Sequence, residues 1–88
     1  MKWMDCVEVT AEKEEYAKEG VHKGMQGVIW EPEYKNEAWV VLVPQCGDKS
    51  DIADIYIKEK DLKVIPVMHA AVNEEIKARF DGPKDADE

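Results

Sequence analysis

Six consecutive apolar residues, Ala38–Val43, closed at once by Pro44, constrain this chain more than any other feature. The run reads Ala-Trp-Val-Val-Leu-Val and is far short of the ~20 residues that span a bilayer. It is rich in β-branched and aromatic side chains, which suit a pleated surface better than a helix. The spacing predicts a buried strand over residues 37–44, ended by a proline that has no N–H for a ladder. One such strand must find partners in the same short chain, because an isolated hairpin is marginal in water.

The sequence supplies those partners. Asp5-Cys6-Val7-Glu8-Val9-Thr10 alternates around Val7 and Val9, as a half-buried strand does. Gly24-Met25-Gln26-Gly27 gives a turn that tolerates positive φ and releases into Val28-Ile29-Trp30. Pro32 argues that residues 31–36 are a polar connection. Residues 45–51 read as a turn and 52–57 as a further strand, with Ile55 and Ile57 on one side. Glu59-Lys60-Asp61-Leu62 predicts a tight helical turn into a last strand over 62–65, stopped by Pro66. The polar stretch 11–23 fits either a helical turn at 12–18, with Glu14 and Lys18 an i,i+4 pair, or a long excursion between strands.

Past Pro66 the period changes. Val72, Ile76 and Phe80 recur every four residues, and Met68 or Ala71 can join that face. Asn73 is the expected N-cap, with Glu74 and Glu75 in the first turn and Gly82-Pro83 as the stop. The expected organisation is therefore mainly β: a small five-stranded barrel over 1–66, a C-terminal helix within 67–82 packed on that barrel or on a partner, and a frayed acidic tail at 83–88.

Composition narrows the function classes. Twenty acidic against 12 basic residues give a formal net charge of −8, which opposes the counterion release that drives nucleic-acid binding and favours basic partners at long range. A hydrophobic fraction of 44% with 36% charged residues suits a folded domain with a solvated exterior. The N-terminus carries a charge inside its first apolar stretch and no signal-peptide core, so a cytoplasmic location is the expectation. Cys6 and Cys46 then read as reduced thiols.

The order of five short strands resembles that of Src-homology-3-like barrels, the superfold of signalling adaptors and of many small bacterial domains. The resemblance rests on Gly24-x-x-Gly27-x-Ile29, on the strand Trp39-Val40-Val41-Leu42-Val43 and on the Asp61-Leu62 step into the last strand. The glycine turn is also similar to the KOW element of ribosomal and transcription-associated barrels. The aromatic pair that peptide-binding members carry on their first strand is missing, so polyproline binding is not carried over.

Alternation identifies candidate sites. With Ile29, Trp39, Val41 and Val43 facing inward, Val28, Trp30, Val40 and Leu42 form an outward apolar row that something should cover. The helix stripe Val72, Ile76 and Phe80 is one candidate cover and a partner chain another. Trp3, Trp30 and Tyr34 are read as ordinary core and rim aromatics, with the lining of a groove beside Tyr16 as the alternative; among them Trp30 is the leading candidate for a partner contact. Cys6, His22, Cys46 and His69 are metal-ligand types, but the smallest gap among them is sixteen positions, unlike the close pairs of zinc sites. Glu12, Glu14, Glu15, Glu19, Asp48 and Asp51 read as solvated carboxylates, with no catalytic set around them. The sequence thus reads as a non-enzymatic protein-interaction or accessory module that binds a partner or itself and needs no cofactor, metal or membrane. Its alternative is a KOW-like nucleic-acid or ribosome-associated domain, which requires Lys18, Lys23, Lys58, Lys60 and Lys63 to share one face.

Overall fold

The computed structural model describes residues 1–47 and 49–81. Five strands form one antiparallel sheet: β1 (Cys6–Val9), β2 (Gln26–Lys35), β3 (Ala38–Val43), β4 (Ala53–Lys58) and β5 (Leu62–Val64), in the order β4-β3-β2-β1-β5. A short helix α1 (Glu14–Ala17) interrupts the β1–β2 connection, a 3-10 turn (Glu59–Asp61) links β4 to β5, and α2 (Ala70–Asp81) follows. The sheet is mainly β as expected, but it is not closed into a barrel. β4 and β5 remain its two edges; β5 is three residues long, and the 3-10 turn separates it from β4.

The run Ala38–Val43 is a strand whose Trp39, Val41 and Val43 are buried while Val40 and Leu42 are half-buried, the period of two that its sequence demands. β2 differs from expectation. Pro32 does not end it, and residues 31–35 belong to the strand. The reason lies in the register. Ile29 faces Val41 and Tyr34 faces Trp39, so residues 30–33 oppose Val40 alone. Pro32 sits in this irregular stretch, where no ladder donor is required of it. The turn that follows uses Asn36 and Glu37, at φ 55° and 63°, a two-residue hairpin loop of the twist that suits paired strands.

The two glycines of the β2 turn have separate causes. Gly24 has φ +94°, closed to ordinary L-residues. Gly27 needs no unusual φ; a Cβ there would collide with the Leu42 carbonyl oxygen of β3.

The core gathers Val7 and Val9 from β1, Ile29 from β2, Val41 and Val43 from β3, Ile57 and Leu62, with Tyr16, Val21 and Met25 from the β1–β2 connection. Ile76 of α2 belongs to this cluster, and Val72 packs against it. Val72 and Ile76 of the helical stripe are thus spent on the inner core, so of the two candidate covers for the outward row the helix stripe is not the one used. Asn73 is corrected too. It is a fully buried residue inside α2, three positions past the helix start. The Gln26 side chain serves the helix entry instead, its Oε1 accepting from the His69 N–H at 2.8 Å. The expected stop at Gly82-Pro83 and the tail 83–88 lie outside the described residues.

Candidate functional site

With the inner face filled, the outer face of the sheet is the surface left for recognition. Directly paired residues share a face, so the registers build it row by row. One row runs Cys6, Val28, Leu42, Asp54 across β1, β2, β3 and β4, and a second pairs Val40 with Tyr56. Val28, Val40 and Leu42 are half-buried, whereas Trp30 and Tyr56 are 47% and 46% exposed. Trp30 follows Val28 by two positions, and its carbonyl accepts the Trp3 indole N–H at 3.0 Å, so a second exposed tryptophan is pinned beside it.

Carboxylates border this face. The Tyr56 hydroxyl lies 3.5 Å from Glu33 Oε1, which brings a β2 side chain toward β4 past β3. Asp54 stands opposite Leu42, and exposed Glu31 adjoins Trp30. Among the described residues, none of Glu31, Glu33 and Asp54 forms an ion pair. Cations on the same side are engaged or peripheral. Lys63 is 3.9 Å from Glu8, and Lys58 donates to the Asn36 carbonyl at the hairpin end, where Lys35 also stands. A cleft of about 330 Å³ opens there between Glu15, Tyr16, Lys35, Asn36, Ala38, Tyr56 and Lys58.

The other residues singled out from the sequence are dispersed. Tyr16 is buried in the core instead of lining an aromatic groove. Its hydroxyl donates to Asp61 at 2.7 Å and accepts the Lys58 N–H, so it caps a backbone donor on β4. Burial and the Asp61 contact push the phenol up to about 12. Burial opposes ionisation of Asp61, but the Lys13 ammonium at 2.7 Å and the Tyr16 hydroxyl outweigh it and hold that carboxyl below its ordinary value. Tyr34 packs on Trp39 with ring centroids 4.9 Å apart, and Glu59 accepts from both rings' polar groups. Ile76 is buried, whereas Phe80 is 55% exposed and stacked on His22 at 3.6 Å. Trp3, Trp30, Tyr34 and Tyr16 therefore do not share one groove: Trp3 and Trp30 meet, Tyr34 is held at Trp39, and Tyr16 is enclosed.

Tyr56, Glu33 and Asp54 were not visible as site residues in the sequence. Their signal is the pairing register, which sets Tyr56 against Val40 and Asp54 against Leu42, and no local pattern reports it. Cys6 is half-buried and Cys46 exposed, both as free thiols. Glu74 accepts from the Cys46 N–H and from Lys49; these contacts lower its carboxyl to about 2, and the same carboxylate pushes the Cys46 thiol up. Among the described residues no group of three or more His, Cys, Asp or Glu side chains is arranged to hold a metal ion, and no helix is long and apolar enough to cross a membrane. Compared with protein-family models, with curated proteins and with solved structures, the chain matches none.

Proposed function

We propose that this protein is a non-enzymatic interaction module that binds another protein through the outer face of its sheet, centred on Val28, Trp30, Val40, Leu42 and Tyr56. One observation carries the reading. α2 directs Val72 and Ile76 into the inner core, which leaves the outer row without the helix that would have shielded it. Exposed aromatics flanked by half-buried aliphatics are the composition of an interface centre, where tryptophan and tyrosine contribute most. Burying the part of such side chains that is still exposed gains on the order of 1 kcal/mol each.

The finer fold assignment is part of the same proposal. The order β4-β3-β2-β1-β5 with a 3-10 turn between β4 and β5 supports an open variant of the Src-homology-3-like architecture. Of the five lysines that the nucleic-acid alternative requires, Lys63 is paired with Glu8 and Lys58 is turned to the Asn36 carbonyl, which weighs against that alternative because a phosphate backbone would need both free.

The test compares the native chain with a Trp30→Ala, Leu42→Ser variant as baits in extract from the native host. The proposal expects a specific protein retained by the native chain and lost by a variant whose unfolding remains cooperative. Equal retention by both, or no retained protein, contradicts it.

A further inference from the structure

We infer that the partner reaches this face with a cationic segment, arginine or lysine side chains set among apolar ones; the inference rests on the outer face being the binding surface. Three features of one surface meet that chemistry. Trp30 and Tyr56 each expose nearly half their surface, and an aromatic face attracts a guanidinium or ammonium through its quadrupole. Glu33 and Asp54 are acceptors on either side of β3, with Glu31 next to Trp30, and none of the three is neutralised by an ion pair among the described residues. Val28, Val40 and Leu42 lie between them as the surface on which the methylene stem of a long cationic side chain rests while its head stays at the rim.

Charge placement also gives the segment a direction. The cations on this side that form no ion pair among the described residues, Lys35 and Lys58, gather at the hairpin end, where Lys58 is turned to the Asn36 carbonyl, whereas Lys63 at the opposite end is paired with Glu8. The row Cys6, Val28, Leu42, Asp54 is farther along the strands and ends on a carboxylate. A cationic segment is therefore drawn across that row and away from the hairpin. The chain's net charge of −8 steers such a partner from a distance, and the local carboxylates and rings select it at contact. An aromatic surface with free carboxylates disfavours an acidic peptide, a nucleic acid or an anionic membrane through like-charge repulsion.

The experiment titrates the isotope-labelled full chain with the capped peptide Gly-Leu-Arg-Leu-Arg-Leu-Gly, with its Glu-for-Arg counterpart and with a short single-stranded RNA, following amide and indole resonances. The arginine peptide is expected to shift Val28, Trp30, Leu42, Asp54 and Tyr56 and to bind at least about tenfold more tightly than the other two probes. The Glu31→Gln, Glu33→Gln, Asp54→Asn triple variant is expected to lose about tenfold in affinity. A control variant, Glu14→Gln, Glu75→Gln, Glu88→Gln, changes net charge equally and is expected to bind as the native chain does. Equal weakening by both triple variants, or a preference for the glutamate peptide or the RNA, overturns the inference. Its failure is separable from failure of the interaction reading. If Trp30→Ala, Leu42→Ser abolishes partner retention and the carboxylate triple variant leaves it intact, the face binds a partner but not through cations.

Discussion

Asn73 in α2 and Gln26 at the start of β2 pair as two strands of a sheet would. Asn73 Oδ1 accepts the Gln26 N–H at 2.6 Å, and Asn73 Nδ2 donates to the Gln26 carbonyl at 2.8 Å. Continuing the Val28–Leu42 register by two residues places Pro44 opposite Gln26. Proline has no N–H, so the β2–β3 ladder would end on an unsatisfied pair; Asn73 fills the gap and also donates to the Pro44 carbonyl at 2.8 Å. The helix is thus seated by a peptide-like amide at the point where β3 leaves the sheet.

Asn73→Ala removes these three hydrogen bonds and leaves the half-buried Gln26 backbone groups without these partners. It is expected to lower unfolding free energy by about 2–4 kcal/mol. Urea unfolding followed by circular dichroism checks this, and a change under about 0.5 kcal/mol contradicts the role given to Asn73.

The two ends of the helical stripe are predicted to differ. Ile76 is 5% exposed in the core, so Ile76→Ala is expected to cost about 2–4 kcal/mol. Phe80 is 55% exposed and stacked on His22, so Phe80→Ala is expected to cost about 1 kcal/mol or less. Parallel thermal melts of the two variants distinguish them; equal losses would mean that the helix is seated differently.

The sequence showed a good deal of this fold and little of the site, for physical reasons. The strand Ala38–Val43 and the glycine turn are local patterns, and alternation alone sorted Val41 and Val43 from Val40 and Leu42. Asn73 looks like a helix cap because asparagine caps helices through local backbone contacts. Its actual partners, Gln26 and Pro44, are far away in sequence. Pro32 looks like a terminator because a regular ladder forbids it, and only the four-against-one opposition of residues 30–33 to Val40 removes that objection. Tyr16 sits in a polar stretch with no apolar period to mark it as core, and the partners of its hydroxyl, Asp61 and the Lys58 N–H, are remote in sequence.

Stability is predicted to fall at both extremes of pH through the Tyr16–Asp61–Lys13 network. Asp61 has a folded pKa below its ordinary 3.8, so its contribution is present above that value and is lost as pH falls through the folded one. Tyr16 is raised from 10.0 to about 12, so its contribution is present below 10.0 and is lost as pH climbs through about 12. Melts across pH check both limbs: Asp61→Asn is expected to flatten the acid limb and Tyr16→Phe the alkaline one, each from a lower plateau. Unchanged slopes would contradict the assignment.

Glu37 occupies the left-handed region at φ 63° in the hairpin loop. Glu37→Gly relieves that conformation while the loop keeps its Asn at the preceding position, so a gain of about 0.5–1 kcal/mol is expected from chemical denaturation. A loss would mean that the Glu37 side chain contributes more than its backbone geometry costs.

The arrangement in which α2 serves the inner core and the outer face stays open is tested most directly by a soluble paramagnetic chelate added to the isotope-labelled native chain. The account predicts strong broadening of the Trp30 indole and Tyr56 ring signals, intermediate broadening of the Val28, Val40 and Leu42 methyls, and little effect on Ile76, Val41 and the Trp39 indole. Protection of Trp30, Val40 and Leu42 equal to that of Val41, together with broadened Ile76 methyls, would place the helix on the opposite face and contradict it.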